Sequence, residues 1–108
     1  MDISKIIDIY PFCSGVSTDS RSVCAGNIFF ALRGESFDGN LFARQALEKG
    51  AICAVIERES EFGDAVLKAL KNPKYGTPAD KERLKKYLLV EDPLKCYQEL
   101  ARWHRSQF

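Results

Sequence analysis

Gly26-Asn27-Ile28-Phe29-Phe30-Ala31-Leu32-Arg33-Gly34 is an apolar run closed at each end by glycine, and with the two segments after it this stretch decides the fold. Ile28 to Leu32 is continuously apolar, as expected of a strand covered on both faces. From Asn40 onward, Phe42, Ala43, Ala46 and Leu47 recur at helical spacing, with Asn40 suited to the N-cap. Gly50 follows Lys49 and fits the left-handed position that closes a helix. Ala51 to Glu57 is a second buried strand. Strand, helix, strand is a βαβ crossover, and it implies parallel pairing of the two strands.

Working outward, Ile3, Ile6, Ile7 and Tyr10 share one helical face, with Asp2 as N-cap, and the helix ends before Pro11. Val16 to Thr18 reads as a short strand. Beyond Glu57, Phe62, Val66, Leu67 and Leu70 suggest another helix. Asn72 to Asp80 contains Pro73, Gly76 and Pro78 and reads as an exposed loop. Ala79 to Lys86 suggests a short charged helix, and Tyr87 to Val90 a further strand. Asp92 caps a last helix with Pro93 at its first position. Its expected inner stripe is Leu94, Tyr97, Leu100 and Ala101, with Phe108 further along. Helices on both faces of a small mixed sheet give a three-layer α/β/α domain spanning residues 1–108.

The totals exclude several classes. The 108 residues suffice for one domain with a modest core. Lys and Arg number 16 against 15 Asp and Glu, so no basic excess points to nucleic acid. The patch Lys81 to Lys86 also holds Glu82 and reads first as a solvated helix face. No apolar run approaches the roughly 20 residues that span a bilayer. Met1-Asp2-Ile3-Ser4-Lys5 lacks the features of a secretory signal, so a cytoplasmic location is expected. Cys13, Cys24, Cys53 and Cys96 contain no C-x-x-C pair, which argues against a metal site or a disulfide framework. Cys53, in an apolar run, should behave as a small hydrophobe. The single His104 is expected on a helix as a partly exposed surface residue with no catalytic role.

Two polar turns flank the first long strand. Thr18-Asp19-Ser20-Arg21 has two readings of equal weight. Asp and Ser favour turns because their side chains bond nearby main-chain N–H groups. The same hydroxyls suit the edge of a pyrimidine base, and turn N–H groups suit a diphosphate. Arg21 adds charge to a ligand or pairs with a local carboxylate. Gly34 and Gly39 are spaced as in the first part of a phosphate-binding P-loop, but Asn40-Leu41 follows where Lys and Ser or Thr are needed, so no ATP site is expected here. Glu35 and Asp38 have no nearby histidine or metal ligand to make a catalytic pair, and Asp38 more readily caps the helix after it. Phe37 on its own reads as core. Ser14, Ser17, Ser20 and Ser22 include no G-x-S-x-G.

Taken together, T-D-S-R, then G-N-I-F-F-A-L-R-G-E-S-F-D-G-N-x-F, then A-x-x-x-G-A resemble the N-terminal domain of the Mur ligases, which build the peptide of bacterial cell-wall precursors. Phe37 and Phe42 around Asp38-Gly39, the short N-terminal lead, and Leu89-Val90-Glu91-Asp92 with Leu100-Ala101-Arg102-Trp103-His104-Arg105 resemble one branch of the family. That branch adds D-alanyl-D-alanine to UDP-N-acetylmuramoyl-tripeptide. A sister branch, which adds the third peptide residue, shares much of the pattern. The resemblance covers most of the chain and lapses over residues 60–86, which read as an insertion.

The resemblance implies a three-domain enzyme of which this chain is the first. It implies that Thr18 and Ser20, with Glu35, Ser36 and Phe37 as a second segment, contact the UDP portion of the substrate. It implies that Asp19, Arg21 and Asp38 support the loops. ATP and Mg2+ are implied for the whole enzyme, which forms an amide through an acyl phosphate, with none bound by this domain. The fragment alone is then inactive. A reading from another class is a protein-interaction module on a similar scaffold, with Lys81 to Lys86 as its contact surface.

Overall fold

The computed structural model describes residues 3–32, 42–59, 61–72, 74, 76, 82 and 84–106. Helices cover both faces of a sheet whose described strands number four. Helix α1 is Ile3–Ile9 and runs into a 3-10 turn, Tyr10–Phe12, at Pro11. Strand β1 is Gly15–Ser17, and a second 3-10 turn, Ser20–Ser22, leads to β2, Asn27–Phe30. Then come α2 (Ala43–Glu48), β3 (Cys53–Glu57), α3 (Glu61–Lys71), β4 (Tyr87–Val90) and α4 (Pro93–Ser106). The strands lie in the order β1-β2-β3-β4.

The sequence suggested a mixed sheet; all three described strand pairs are parallel. The reason is the connections. No tight two-residue turn joins any two apolar runs, and long connections bring each new strand back in the same direction. Within the expected βαβ unit, Ile28 lies beside Cys53, Phe29 beside Ala54 and Phe30 beside Val55.

Strand side chains alternate between two faces, and each face feeds its own core. Phe29, Ala31, Ala54, Ile56 and Tyr87 meet Ala43, Ala46 and Val66 of α2 and α3. Ile28, Phe30, Cys53, Val55 and Val90 meet Ile6 of α1 and Cys96 and Leu100 of α4. This is the three-layer architecture read from the sequence. Burying both faces explains why β2 is buried at every position.

Helix α2 carries the expected stripe, with Ala43 and Ala46 buried and Phe42 and Leu47 packed on the same cluster. Gly50 closes it at φ +105°, a left-handed conformation, and its N–H donates to the Leu47 carbonyl at 3.1 Å. The Asn40 cap lies outside the described residues, as do Asp2 and Phe108. Asp92 caps α4 as expected: its Oδ1 accepts from Leu94 N at 3.1 Å and Lys95 N at 3.2 Å. The inner stripe of α4 differs from the expectation. Pro93, Cys96 and Leu100 are buried and Tyr97 and Trp103 pack beside them, while Leu94 is 47% exposed and Ala101 is exposed. The true stripe starts one residue earlier, at Pro93, and one residue is about 100° of helix rotation.

Among the described residues no helix is long and apolar enough to cross a membrane. None of the four cysteines is in a disulfide; Cys53 and Cys96 are buried, and burial pushes the Cys53 thiol up to about 12. His104, on α4, is half-buried and its Nδ1 lies 2.9 Å from the Tyr10 hydroxyl, tying α4 to the end of α1.

Candidate functional site

The candidate loops start from the sheet register. Gly15 lies beside Asn27, Val16 beside Ile28 and Ser17 beside Phe29, in parallel. Both strands therefore leave the sheet at the same, carboxyl, edge. β1 exits into Thr18–Ser22, and β2 exits into Ala31-Leu32. Ligands of open α/β sheets gather at this carboxyl edge. Glu35, Ser36, Phe37 and Asp38 lie outside the described residues.

The first loop is built around Asp19. Its carboxylate caps the 3-10 turn, with Oδ1 accepting from Arg21 N at 2.9 Å. The Arg21 guanidinium folds back on the same carboxylate, Nε to Oδ1 at 3.3 Å and Nη2 to Oδ2 at 3.2 Å. The Asp19 main-chain carbonyl accepts from Ser17 Oγ at 2.9 Å, Ser22 Oγ at 3.1 Å and Ser22 N at 3.1 Å. Asp19 N donates back to Ser17 Oγ at 3.2 Å. Serine hydroxyls and an aspartate thus shape the turn through short-range bonds to main chain. Thr18 stands half-buried where the loop leaves β1, and Ser20 opens the 3-10 turn.

The bonds from Arg21 hold the Asp19 carboxyl below its ordinary value of 3.8. The side-chain bond from the guanidinium contributes most, then the bond from Arg21 N, with smaller help from the charges of Arg21 and Lys49. The Arg21 pKa is raised in return. Because the folded pKa is depressed, the carboxylate's support of the loop is complete above the ordinary Asp value. It is lost as pH falls through the lower folded value. Both side chains are well exposed, so this is a local matter and a small one for global stability. The carbon resonance of the Asp19 carboxyl should titrate below 3.8 in the wild type and move back up toward it in Arg21→Ala. Equal midpoints in the two proteins would rule out the guanidinium as the cause.

The loop is fixed from below by Asn27, a residue that sequence reading did not single out. Asn27 is 8% exposed, the one buried polar residue among those described. Its Oδ1 accepts from Cys24 N at 2.9 Å and its Nδ2 donates to Ser14 Oγ at 3.0 Å. Ser14 Oγ donates in turn to Ala25 O at 2.7 Å. One buried amide therefore joins the start of β1 to the end of the loop. The signal in the sequence was a polar residue, next to a glycine, heading an otherwise apolar strand. Gly26 holds φ +86° there, and its N–H donates to the Gly50 carbonyl at 2.8 Å, so the closing turn of α2 is stitched to the base of the loop.

Chemically, the described part of the first loop is a hydrogen-bonded turn rich in hydroxyls. The hydroxyls of Ser17 and Ser22 and the charge of Arg21 are committed within the loop. Among the described residues no group of three or more His, Cys, Asp or Glu is placed to hold a metal. His104 sits in the α1–α4 layer, with its Nδ1 at the Tyr10 hydroxyl.

Comparison with known proteins gives four findings. A family model described as "Mur ligase family, catalytic domain" matches residues 13–105. The chain is 38% identical over 96 residues to the UDP-N-acetylmuramoyl-tripeptide–D-alanyl-D-alanine ligase of Synechocystis sp., covering 88% of this chain and 17% of that protein. It is 44% identical over 50 residues to the UDP-N-acetylmuramoyl-L-alanyl-D-glutamate–2,6-diaminopimelate ligase of Syntrophomonas wolfei, covering 46% of this chain and 10% of that one. Among solved structures, a crystal structure of MurF from Acinetobacter baumannii is similar, with a TM-score of 0.57 and 25% identity, over 86% of this chain and 16% of that chain.

Proposed function

The chain belongs to the Mur ligase family, and we propose that residues 1–108 are the part of such a ligase that grips the UDP end of its muramoyl-peptide substrate. The enzyme we infer joins D-alanyl-D-alanine to UDP-N-acetylmuramoyl-tripeptide. That branch is favoured because the Synechocystis likeness runs over 88% of the chain, whereas the likeness to the Syntrophomonas diaminopimelate ligase runs over 46%.

One observation carries the reading: the in-register parallel pairing of β1 and β2. It ends β1 and β2 side by side at one sheet edge, which supports reading the segments that follow them in sequence as two walls of a single binding site. Thr18 and Ser20 supply the first wall, and Glu35, Ser36 and Phe37 the second. Asp19 and Arg21 hold the first wall in shape by pairing with each other, and Asp38 supports the second. Gly39 is followed by Asn40 and Leu41 without the P-loop lysine, so ATP and Mg2+ are assigned to the rest of the enzyme. The domain's contribution to amide formation is then placement. Holding the nucleotide handle fixes where the peptide carboxylate lies, and positioning of reactants can lower a barrier by as much as roughly 7–11 kcal/mol.

Titration of the 15N-labelled chain with UDP tests this. Amide shifts are expected at Thr18, Ser20 and Glu35 to Phe37, and shifts confined to other regions would refute the site. Thr18→Val and Ser20→Ala should each weaken binding roughly 2- to 13-fold, the worth of one hydrogen bond of about 0.5–1.5 kcal/mol. Assay of the whole enzyme with D-alanyl-D-alanine against diaminopimelate separates the two branches.

A further inference from the structure

Asn27 heads a strand that is buried at every position, where an apolar side chain would bury at less cost. Its main-chain and side-chain polar atoms are all engaged. The main-chain N–H donates to Cys24 O at 3.1 Å, and the main-chain carbonyl accepts from Ile52 N at 2.8 Å. In the side chain, Oδ1 meets Cys24 N and Nδ2 meets Ser14 Oγ. These partners fix which way round the carboxamide lies. Cys24 N can only donate, and the Ser14 hydroxyl has its proton on Ala25 O, so it receives from Nδ2.

The bonds meet where the first loop most needs support. β1 has three residues, all half-buried, and stands at the end of the described strand order. A strand so short is held to its neighbour by few ladder bonds. Asn27 lies beside Gly15, the first residue of β1, and its carboxamide reaches Ser14 just before it. A Cβ on Gly15 would stand 3.6 Å from Nδ2, so the amide passes close to the start of the strand. The same amide holds the far end of the loop at Cys24. The bonds around Asp19 shape the turn from within. Where that turn sits relative to β2 depends on where the loop departs and where it returns, and Asn27 grips both places.

We propose that Asn27 is a positioning residue for the nucleotide, one that acts from the amino end of β2 by setting the place of Thr18 and Ser20. The inference rests on the reading of these loops as a UDP site. Ser14, Cys24 and Ala25 are exposed, so water can satisfy their polar groups when Asn27 is replaced. The loss then falls on the loop more than on the core. A loop that holds its binding form for only a fraction of the time binds more weakly by that fraction.

The test is titration of the 15N-labelled chain with UDP, read at the Thr18 and Ser20 amides. Asn27→Leu removes both side-chain bonds and should weaken binding about tenfold. Ser14→Ala, at an exposed position that leaves the core untouched, removes one of them and should weaken binding about threefold. Asn27→Asp is the conservative rescue. Its carboxylate still accepts from Cys24 N, and the Ser14 hydroxyl can turn to donate to it, so affinity should return to within about twofold of wild type. A melting temperature that falls while UDP affinity holds in both Asn27→Leu and Ser14→Ala is the mark of a merely structural role and overturns the proposal. So does an Asn27→Asp protein that binds as weakly as Asn27→Leu. If wild type itself shows no shift at Thr18 and Ser20, the UDP reading has failed and takes this inference with it; wild-type binding with indifferent variants sinks this inference alone.

Discussion

Phe30→Ala is expected to destabilise the domain by about 3–5 kcal/mol. Phe30 is fully buried in β2 and its ring stands edge-on to Tyr97, with centroids 5.3 Å apart and planes at 65°. It sits in the layer where β2 meets α1 and α4, so the lost ring leaves a cavity shared by three elements. Close-packed layers of this kind relax only in part around a missing side chain. A small domain holds about 5–15 kcal/mol in total, so much of its margin would go. The melting temperature should fall by roughly 12 °C or more. Phe12→Ala is the matched control: that ring is 82% exposed, and its removal should change stability by no more than about 0.5 kcal/mol. Similar denaturant midpoints for the two variants would contradict the placement of Phe30.

Gly63→Ala should be destabilising, against the usual trend. Within a helix, alanine is ordinarily better than glycine by about 1 kcal/mol. Gly63 lies in the first turn of α3, which folds tightly over the end of β3. A Cβ added there would collide with the main-chain carbonyl oxygen of Glu57 and lie 2.8 Å from that of Arg58. Neither atom is the end of a flexible side chain, so α3 has to move off the sheet and Val66 with it. Overpacking of this kind costs about 1–3 kcal/mol, occasionally more. Ala65, on the exposed side of the same helix, gives the comparison. Ala65→Gly should cost about 1 kcal/mol through propensity alone. Urea midpoints decide the matter: a Gly63→Ala protein more stable than wild type would sink the close approach of α3 to Glu57.

Elements set by local spacing and local side-chain chemistry were readable in advance. Ile28 to Phe30, the Ala43–Ala46 stripe of α2 and the Asp92 cap of α4 each follow from local spacing and side-chain chemistry. The phase of α4 did not, because the reading gave weight to Leu94 and Ala101 and none to Cys96. A cysteine outside a disulfide packs as a small hydrophobe, and Cys96 is among the largest fully buried side chains. Strand direction required more than local pattern, since it depends on how each connection returns across the sheet. At the site, the turn chemistry of Asp19 and Ser22 was legible because its bonds span only a few residues. The part played by Asn27 was not, because Ser14 becomes its partner only once β1 lies beside β2.

The layer formed by α1 and α4 joins the first helix of the chain to the last, through Tyr10 and His104 and through Ile6 and Leu100. No shorter stretch ending before Asp92 contains a complete lining for Ile28, Phe30 and Val55. A ribosome makes the chain from its N-terminus, so these side chains are built well before Cys96 and Leu100 exist to cover them. At about 5–20 residues per second, the interval between Phe30 and Leu100 is roughly 4–14 s. For that time one side of the nascent sheet is greasy and bare, and the newborn polypeptide is a natural client for any chaperone waiting at the exit tunnel.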